Sequence, residues 1–160
     1  MPRTPTGHWP CSVARSLDLL GDPWVLLILR EAFYGSRRFD QFVDHLGINR
    51  ATLSRRLHDL QEHGLLSTRP LADHAGRQEY LLTDMGRDTL PVLLAIMRWG
   101  DTWLAEDGPP VEVIDPETGE RIQPLVVDAN TGEPIPSSIT VKPLTAAAMA
   151  DRDRRAQRGS

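Results

Sequence analysis

Apolar residues recur at helical spacing up to about residue 107, and beyond it short Val and Ile runs alternate with Pro, Gly, Asp and Thr. The first pattern predicts helices, and the second predicts short strands and turns. We therefore expect a mainly α chain with a small β component. The predicted divisions are an N-terminal arm at 1–10, a helical domain at 11–107, a β-hairpin or ribbon extension at 108–145 and a disordered tail at 146–160.

Two helices are predicted before residue 35. Gly21 ends the first, and Asp22 followed by Pro23 supplies a cap and a favoured first residue for the second. Because the run Trp24–Leu29 is apolar on every face, this second helix should be the central buried helix. The predicted spans are 11–20 and 22–34.

A helix-turn-helix pattern follows Ser36. A third helix with a one-sided apolar stripe ends at the turn Gly47–Ile48, and Asn49 caps a fourth helix that Gly64 closes. Two helices joined by a short turn containing glycine are typical of this motif. The leucines predicted to face the core from the fourth helix are Leu53, Leu57 and Leu60.

A hairpin and a long helix are predicted next. Strand-like runs at 65–71 and 77–82 flank a short loop, and a hairpin in this position is a wing. A helical pattern then covers 83–106. Because Pro91 removes a hydrogen bond from it, we expect a kink or a short break within 88–91. The fold class is thus a winged helix-turn-helix domain with a small β extension.

Charge is concentrated on this motif. The chain carries a net charge of −4 and a pI of about 5.7, which argues against binding nucleic acid by overall charge. From residue 48 to 77, however, the sequence contains five arginines and three acidic residues, a local net charge of +2. The planar guanidinium of arginine binds well to phosphates and to guanine edges. A solvated helix face is the alternative interpretation, and Arg56 is expected to be tied into the protein. The predicted DNA-binding residues are Arg37, Arg38, Asn49, Arg50, Ala51, Thr52, Ser54, Arg55, His58, Arg69 and Arg77.

Motifs spread over residues 10–104 resemble those of the HxlR family of winged helix-turn-helix transcription regulators. They are Cys11–Val13, Leu19–Trp24, Leu27–Glu31, Gly35–Phe39, Ile48–Asn49, Leu53–Leu57, Leu60–Leu65, Glu79–Thr83, Gly86, Leu90–Val92 and Trp99–Gly100. The resemblance implies a dimer that binds inverted-repeat operators in double-stranded DNA. It also implies a response to electrophiles, oxidants or small metabolites. We therefore expect a sequence-specific regulator, acting as a repressor.

A second copy of the chain is the expected partner of the last long helix. Val92–Met97 is apolar nearly all round, which is more than one domain buries on one side. The resemblance implies that the first and last helices form the dimer. The predicted interface residues are Val13, Leu17, Leu93, Ile96, Met97, Trp99, Gly100 and Trp103.

Cys11 is the chain's one cysteine and stands at the start of the first helix. Helix N-terminal N–H groups stabilise a thiolate, and Arg15 could add positive charge. The resemblance implies a sensor at this position, so Cys11 is the candidate redox sensor. The alternative is a residue packed at the dimer seam without redox chemistry.

The extension repeats one turn motif, D-x-x-T-G-E, thirteen residues apart. It is similar to the zinc ribbon that some HxlR-type proteins carry, with Asp115, Thr118, Asp128 and Thr131 at the ligand positions. A neutral hydroxyl is a poor zinc ligand, so we expect a degenerate ribbon without a metal, in which Asp accepts the turn's N–H groups. The alternative is a hard-cation site using Asp115, Asp128, Glu120 and Glu133.

Other classes of function are less well supported by the sequence. The five histidines stand at no ligand spacing, and no nucleophile–base pair or phosphate-binding loop is recognisable, so we expect neither an enzyme nor a cofactor. With no apolar span, we expect a cytoplasmic protein without a membrane partner. The alternatives are a non-DNA-binding dimer that recruits a partner through its extension, and a thiol enzyme using Cys11. An effector pocket could be lined by Trp24, Phe33, Phe42, Trp99 and Trp103.

Overall fold

The computed structural model of the protein describes residues 5–71 and 77–158, so the predicted wing loop at 72–76 lies outside the described residues. In those ranges the chain is mainly helical, with one small antiparallel sheet. The helices are α1 (Ser12–Leu20), α2 (Pro23–Phe33), α3 (Phe39–Leu46), α4 (Arg50–Glu62), α5 (Asp84–Arg87), α6 (Leu90–Trp103) and α7 (Ala146–Arg158), and the strands are β1 (Leu66–Pro70) and β2 (Gln78–Leu82).

The chain divides into two compact units. One contains the described residues up to Leu26 together with those from Pro136 onward, and the other runs from Leu27 to Ile135. The core of the second unit draws on α2, α3, α4 and the start of β1. The buried α2 residues Ile28 and Leu29 confirm the predicted burial of this helix. The most buried large side chains are Ile28, Leu29, Phe42, Leu53, Leu57, Leu60 and Leu65.

The helix-turn-helix is built by the caps that the sequence predicted. Gly47 follows α3 with a φ of 60°, and its N–H donates to Val43 O. Asn49 precedes α4, and its side-chain oxygen accepts hydrogen bonds from the N–H groups of Ala51 and Thr52. With Gly64 also at a positive φ after α4, the chain turns sharply at both ends of this helix.

The wing is an antiparallel pair that also holds the segment before α3. Strand β1 pairs with β2 so that Arg69 lies opposite Glu79 and Thr68 opposite Tyr80. The N–H of Tyr80 donates to Arg37 O at 2.7 Å, and Arg38 forms an isolated bridge with Glu79. The wing is therefore fixed to the start of the helix-turn-helix by backbone hydrogen bonds.

The predicted break near Pro91 is present, because α5 ends at Arg87 and α6 begins at Leu90. Pro91 lies in the first turn of α6, where an N–H group has no helical partner to lose. The hydroxyl of Thr83 accepts from Gly86 N and caps α5, while the buried Thr89 hydroxyl donates to Gly86 O at 2.6 Å. Hydrogen bonds thus fix the junction on both sides of Gly86.

In the first unit, residues 5–10 of the predicted N-terminal arm fold back on α1. Thr6 donates from its N–H to the Asp18 carboxylate at 2.9 Å and from its hydroxyl to Ala14 O at 3.0 Å. Hydrogen bonds from the backbone and the side chain of Thr6 therefore order this part of the arm.

At the start of α2, Trp24 N donates to the Asp22 carboxylate, as expected of a helix cap.

The predicted disorder of the tail is wrong for residues 146–158, which form α7. Thr145 Oγ1 accepts a hydrogen bond from Ala148 N, and Arg154 forms an ion pair with Asp151. The alanines that follow Thr145 favour a helix because they lose no side-chain entropy on folding. The missing apolar stripe predicts disorder, but the helical propensity of these alanines outweighs it.

The extension contains two turns rather than the predicted strands. Runs 111–114 and 125–127 contribute single bridges, Ile114 with Arg121 and Val127 with Pro134. Pro124 after the first turn, and Pro134 and Pro136 after the second, have no N–H group to donate, which limits longer pairing. In residues 5–71 and 77–158, none of the helices has the length and apolarity to span a bilayer.

Candidate nucleic-acid interface

One side of α4 is exposed and polar, and the other side is buried. Leu53, Leu57 and Leu60 are almost fully buried, as predicted. An amphipathic second helix of this motif can present its polar side to a major groove. The exposed residues on it are Arg50, Ala51, Ser54, Arg55 and His58, with Thr52 half-buried.

Asn49 begins this surface, but its side-chain oxygen is engaged. Its Oδ1 lies 2.9 Å from Ala51 N and 3.4 Å from Thr52 N. A side-chain oxygen that satisfies helix N–H groups cannot also accept a hydrogen bond from a base without weakening the cap. Only the Asn49 amide N–H₂ group is then available for DNA.

Arg50 and Arg55 differ in how they are held. The Arg50 Nη1 lies 2.9 Å from Asp40 Oδ1, and its guanidinium carbon lies 4.8 Å from the centroid of the Phe39 ring. Arg55 is exposed and has no ion-pair partner among the described residues. Arg50 is therefore an oriented guanidinium, whereas the charge of Arg55 is not balanced by a described acidic residue.

Arg56 is tied into the protein, in agreement with the prediction. Its Nη1 lies 3.3 Å from Asp59 Oδ2, one helical turn later, and 21% of its side chain is exposed. Although Arg55 and Arg56 are neighbours in the sequence, the helical rotation of about 100° per residue separates their directions. Arg56 thus provides a natural internal control for Arg55.

On the wing, Arg69 is paired and Arg77 is exposed. The Arg69 Nη2 lies 2.6 Å from Glu79 Oε2, and 14% of the Glu79 side chain is exposed. Arg77 accepts a backbone hydrogen bond from Leu71 N at 3.0 Å, at the end of the sheet. The two arginines predicted to flank the wing loop therefore do so, but Glu79 balances the charge of Arg69.

Glu79 lies in a positive environment. The hydrogen bond from Arg69 lowers the pKa of Glu79 below its ordinary value, and the charges of Arg69, Arg37 and Arg38 act in the same direction against partial desolvation. Arg37 and Arg38 are themselves exposed, and both of their N–H groups donate to the Gln41 side-chain oxygen at 2.9 Å. These three arginines thus form one basic cluster around a carboxylate.

Sequence reasoning missed Asp40, Gln41 and Glu79. Gln41 stands three residues after Arg38, which is the capping-box spacing and could have been noticed. Glu79 could have been found too, because a hairpin centred on residue 74 places positions 69 and 79 opposite each other. The pair of Asp40 with Arg50 has no comparable local signal.

Cys11 is exposed and stands at the N-cap position of α1. Arg15, one turn later, donates from its Nε to Trp9 O at 3.1 Å, so its guanidinium is held by the arm. The thiol is accessible to a reagent, as a sensor requires.

The predicted dimer residues include the most exposed apolar side chains of the two helices. Trp99 is 59% and Trp103 73% exposed on α6, and no residue of α6 is buried. On α1, Val13 and Leu17 are exposed as well. The remaining predicted positions, Leu93, Met97 and Gly100, are half-buried, and Ile96 is exposed.

The predicted aromatic pocket is wrong in one of its members. Phe42 is fully buried and packs edge-to-face against Tyr80, so it cannot line a pocket. Trp99 and Trp103 instead line a groove of about 650 Å³ together with Pro124–Val127. Phe42 is the residue of α3 that faces the core, which explains its absence from the surface.

The two turns of the extension have the predicted hydrogen bonds. Asp115 Oδ1 accepts from Glu117 N at 2.8 Å, and Asp128 Oδ1 accepts from Asn130 N at 2.9 Å. Gly119 and Gly132 have φ values of 72° and 74°. Over the described ranges, His, Cys, Asp and Glu form no group of three or more that could hold a metal ion.

A helix-turn-helix with a wing, an arginine-bearing second helix and a basic cluster beside the wing defines a DNA-binding protein of the winged type. Comparison with known proteins agrees with this assignment to the winged helix-turn-helix class. The model of the HxlR-like helix-turn-helix family matches residues 19–108. The chain belongs to this family of transcriptional regulators.

Relatives extend the similarity beyond the matched domain. The uncharacterized HTH-type transcriptional regulator Mb3122 of Mycobacterium bovis is 43% identical over 134 residues, which cover 82% of this chain and 85% of Mb3122. The crystal structure of PA1607 superposes with a TM-score of 0.78 at 36% identity, covering 88% of this chain and all of PA1607. The reduced form of the redox regulator HypR gives 0.54 at 26% identity, covering 61% of this chain and 95% of HypR.

Proposed function

We propose that this DNA-binding regulator acts as a homodimeric repressor on an inverted-repeat operator. The observation that carries the proposal is the exposed side of α4, on which Arg55 has no described ion-pair partner while Ala51 and Ser54 allow close approach. In a two-fold dimer, two copies of α4 would lie roughly 34 Å apart, in successive major grooves.

Arg55 is the residue we expect to read bases, and Arg77 the one we expect to contact the backbone. A guanidinium on the exposed side of a recognition helix can donate two hydrogen bonds to a guanine edge. Contacts from the wing go to sugar and phosphate and carry little sequence information. The two residues should therefore affect binding differently.

The test measures binding to the chain's own upstream region and to a random duplex by fluorescence anisotropy. We expect Arg55→Ala to cost about 1–3 kcal/mol more on the operator than on the random duplex, and Arg77→Ala to weaken binding to both duplexes by a similar factor and flatten the salt dependence. Arg56→Ala is the matched control, because it removes the same charge from a side chain held by Asp59. Equal effects of Arg55→Ala and Arg56→Ala would show that the assigned side of α4 is wrong.

A thiol response at Cys11 is the second part of the proposal. Its support is the exposed thiol at a helix N-terminus and the similarity to HypR, which is described as a redox regulator. Operator binding would be measured before and after a thiol oxidant in the natural chain and in Cys11→Ser. Loss of the oxidant response with unchanged affinity is expected, and an unchanged response would remove Cys11 as the sensor.

A further inference from the structure

The first residue of α4 is held from two sides by neighbouring residues of α3. Asp40 Oδ1 lies 2.9 Å from Arg50 Nη1, and the Phe39 ring lies under the guanidinium at 4.8 Å. A carboxylate and an aromatic face are the two groups to which a planar guanidinium binds with a defined orientation. Arg50 is thus restrained in direction, although 66% of its side chain is exposed.

This restraint leaves most of the guanidinium available. The group has five N–H donors, and Asp40 accepts from Nη1. The remaining donors stand at the N-terminal end of α4, the part of a recognition helix that contacts base edges. A side chain that is already ordered loses less conformational entropy when it binds a base that lies in its direction, and it cannot turn freely toward a base placed elsewhere.

The Asp40 charge has a second consequence. Sequence-independent binding depends on the number of cations that neutralise phosphates. Because Asp40 balances Arg50, this arginine adds little to the attraction for an arbitrary duplex, whereas Arg55 adds a full charge. Arg50, at the first turn of α4, should therefore contribute more to the preference for the operator over a random duplex than to the affinity for DNA in general.

We propose that Asp40 and Phe39 are specificity-determining positioning residues, which orient Arg50 toward a guanine edge and suppress its binding to phosphate. The inference rests on the proposed function, because it requires that α4 enter a major groove. Under this proposal, residues of α3 contribute to base recognition by orienting a side chain of α4.

The experiment compares the natural full-length chain with Asp40→Asn, Phe39→Leu and Arg50→Ala. Asp44→Asn is the matched control, since Asp44 is also exposed on α3 and has no ion-pair partner among the described residues. Affinity would be measured over a salt series for the operator, a random duplex and operators with 7-deazaguanine at single positions, which lack the N7 acceptor. Thermal unfolding would confirm that each variant folds.

Asp40→Asn should tighten binding to the random duplex, raise the salt slope by about one and lower the ratio of specific to random affinity about five- to tenfold. Phe39→Leu should lower the same ratio without changing the salt slope. Replacing guanine by 7-deazaguanine at one operator position should weaken binding of the natural chain and leave binding of Arg50→Ala unchanged. At that position, Asp40→Asn should no longer distinguish guanine from 7-deazaguanine.

The outcomes separate the two levels of the proposal. If the natural chain does not prefer its operator over the random duplex, the proposed function fails. If the preference is present but Asp40→Asn behaves as Asp44→Asn does, or no 7-deazaguanine position depends on Arg50, the positioning role is overturned while the proposed function stands.

Discussion

Glu79 and Arg69 face each other across the wing at paired positions of β1 and β2, with Oε2 and Nη2 2.6 Å apart. Because Arg37 and Arg38 also act on this carboxylate, it reduces the positive potential that the wing presents to DNA. A glutamate in such a cluster competes with phosphate for the arginines. We therefore expect the wing to bind DNA less strongly than its arginine content suggests.

We expect Glu79→Gln to tighten binding to operator and random duplex by a similar factor and to steepen the salt dependence. The change removes one negative charge and frees Arg69 for phosphate, which carries no sequence information. Anisotropy titrations over a salt series would measure both effects. Glu106→Gln, an exposed acid after α6, removes the same charge away from the wing and should leave the slope unchanged. A gain confined to the operator would contradict this account.

The lowered pKa of Glu79 also predicts how the wing's stability depends on pH. A carboxyl whose pKa is lower in the folded chain contributes stability that is fully present above its ordinary value of 4.5 and is lost as the pH falls through the folded value. The difference in unfolding free energy between the natural chain and Glu79→Gln should be constant from pH 7 to about 5 and shrink below about 4.5. Urea unfolding at a series of pH values measures it. A difference that already falls between pH 7 and 6 would exclude Glu79 as its source.

Gly86 is required by a close approach of two backbone segments. A Cβ at this position would lie 2.1 Å from Leu65 O, which is backbone and cannot rotate away. We expect Gly86→Ala to lower the unfolding free energy by about 1–3 kcal/mol or more, as overpacking does. Asp88→Ala is the control, because Asp88 is exposed two residues later and lies outside the predicted dimer interface, so the change should alter stability by less than about 0.5 kcal/mol. Equal melting temperatures for the two variants would contradict the clash.

Ser36 connects α2 to α3 through a partly buried polar network. Its hydroxyl lies 2.9 Å from His45 Nδ1 and 3.4 Å from Glu31 Oε2, and the Glu31 carboxylate is also paired with Arg30 at 2.7 Å. We expect Ser36→Ala to cost about 1–2 kcal/mol, because it leaves the buried Glu31 carboxylate short of a hydrogen bond. Ser16→Ala, on the exposed side of α1, should change stability by less than about 0.5 kcal/mol. Chemical denaturation distinguishes the two.

The elements that the sequence predicted well are those set by residues a few positions apart. Asn49 before an apolar repeat, glycine after it, and Pro91 inside a helical run each have a local physical cause, so the helix-turn-helix and the break before α6 could be predicted. The wing followed from two strand-like runs around a short loop. Even the pairing of position 69 with 79 could have been deduced from the loop's centre.

The rest depends on geometry between elements or on weak local preferences. Asp40 meets Arg50 because of the angle at which α3 and α4 cross, and the sequence does not encode that angle locally. Burial of Phe42 follows from the same packing. In the tail, the alanines of α7 favour a helix without an apolar side, so a test for amphipathicity alone misses it.

The exposed apolar residues of α6 predict the dimer. Trp99 and Trp103 are 59% and 73% exposed, and burying such rings against a second copy would remove a large apolar area from water. We expect Trp99→Asp to convert a dimer to a monomer in sedimentation velocity. Met85→Asp is the control, because Met85 is 52% exposed on α5 and lies outside the predicted interface.

The same variants connect assembly to DNA binding. A dimer on an inverted repeat binds two half-sites in one event, so losing the dimer removes the benefit of the second half-site. Trp99→Asp should therefore weaken binding to the full operator by far more than binding to an isolated half-site, whereas Met85→Asp should change neither. If Trp99→Asp remained dimeric and kept its operator affinity, α6 would not be the dimer interface, and the second copy would have to bind through another surface of the chain.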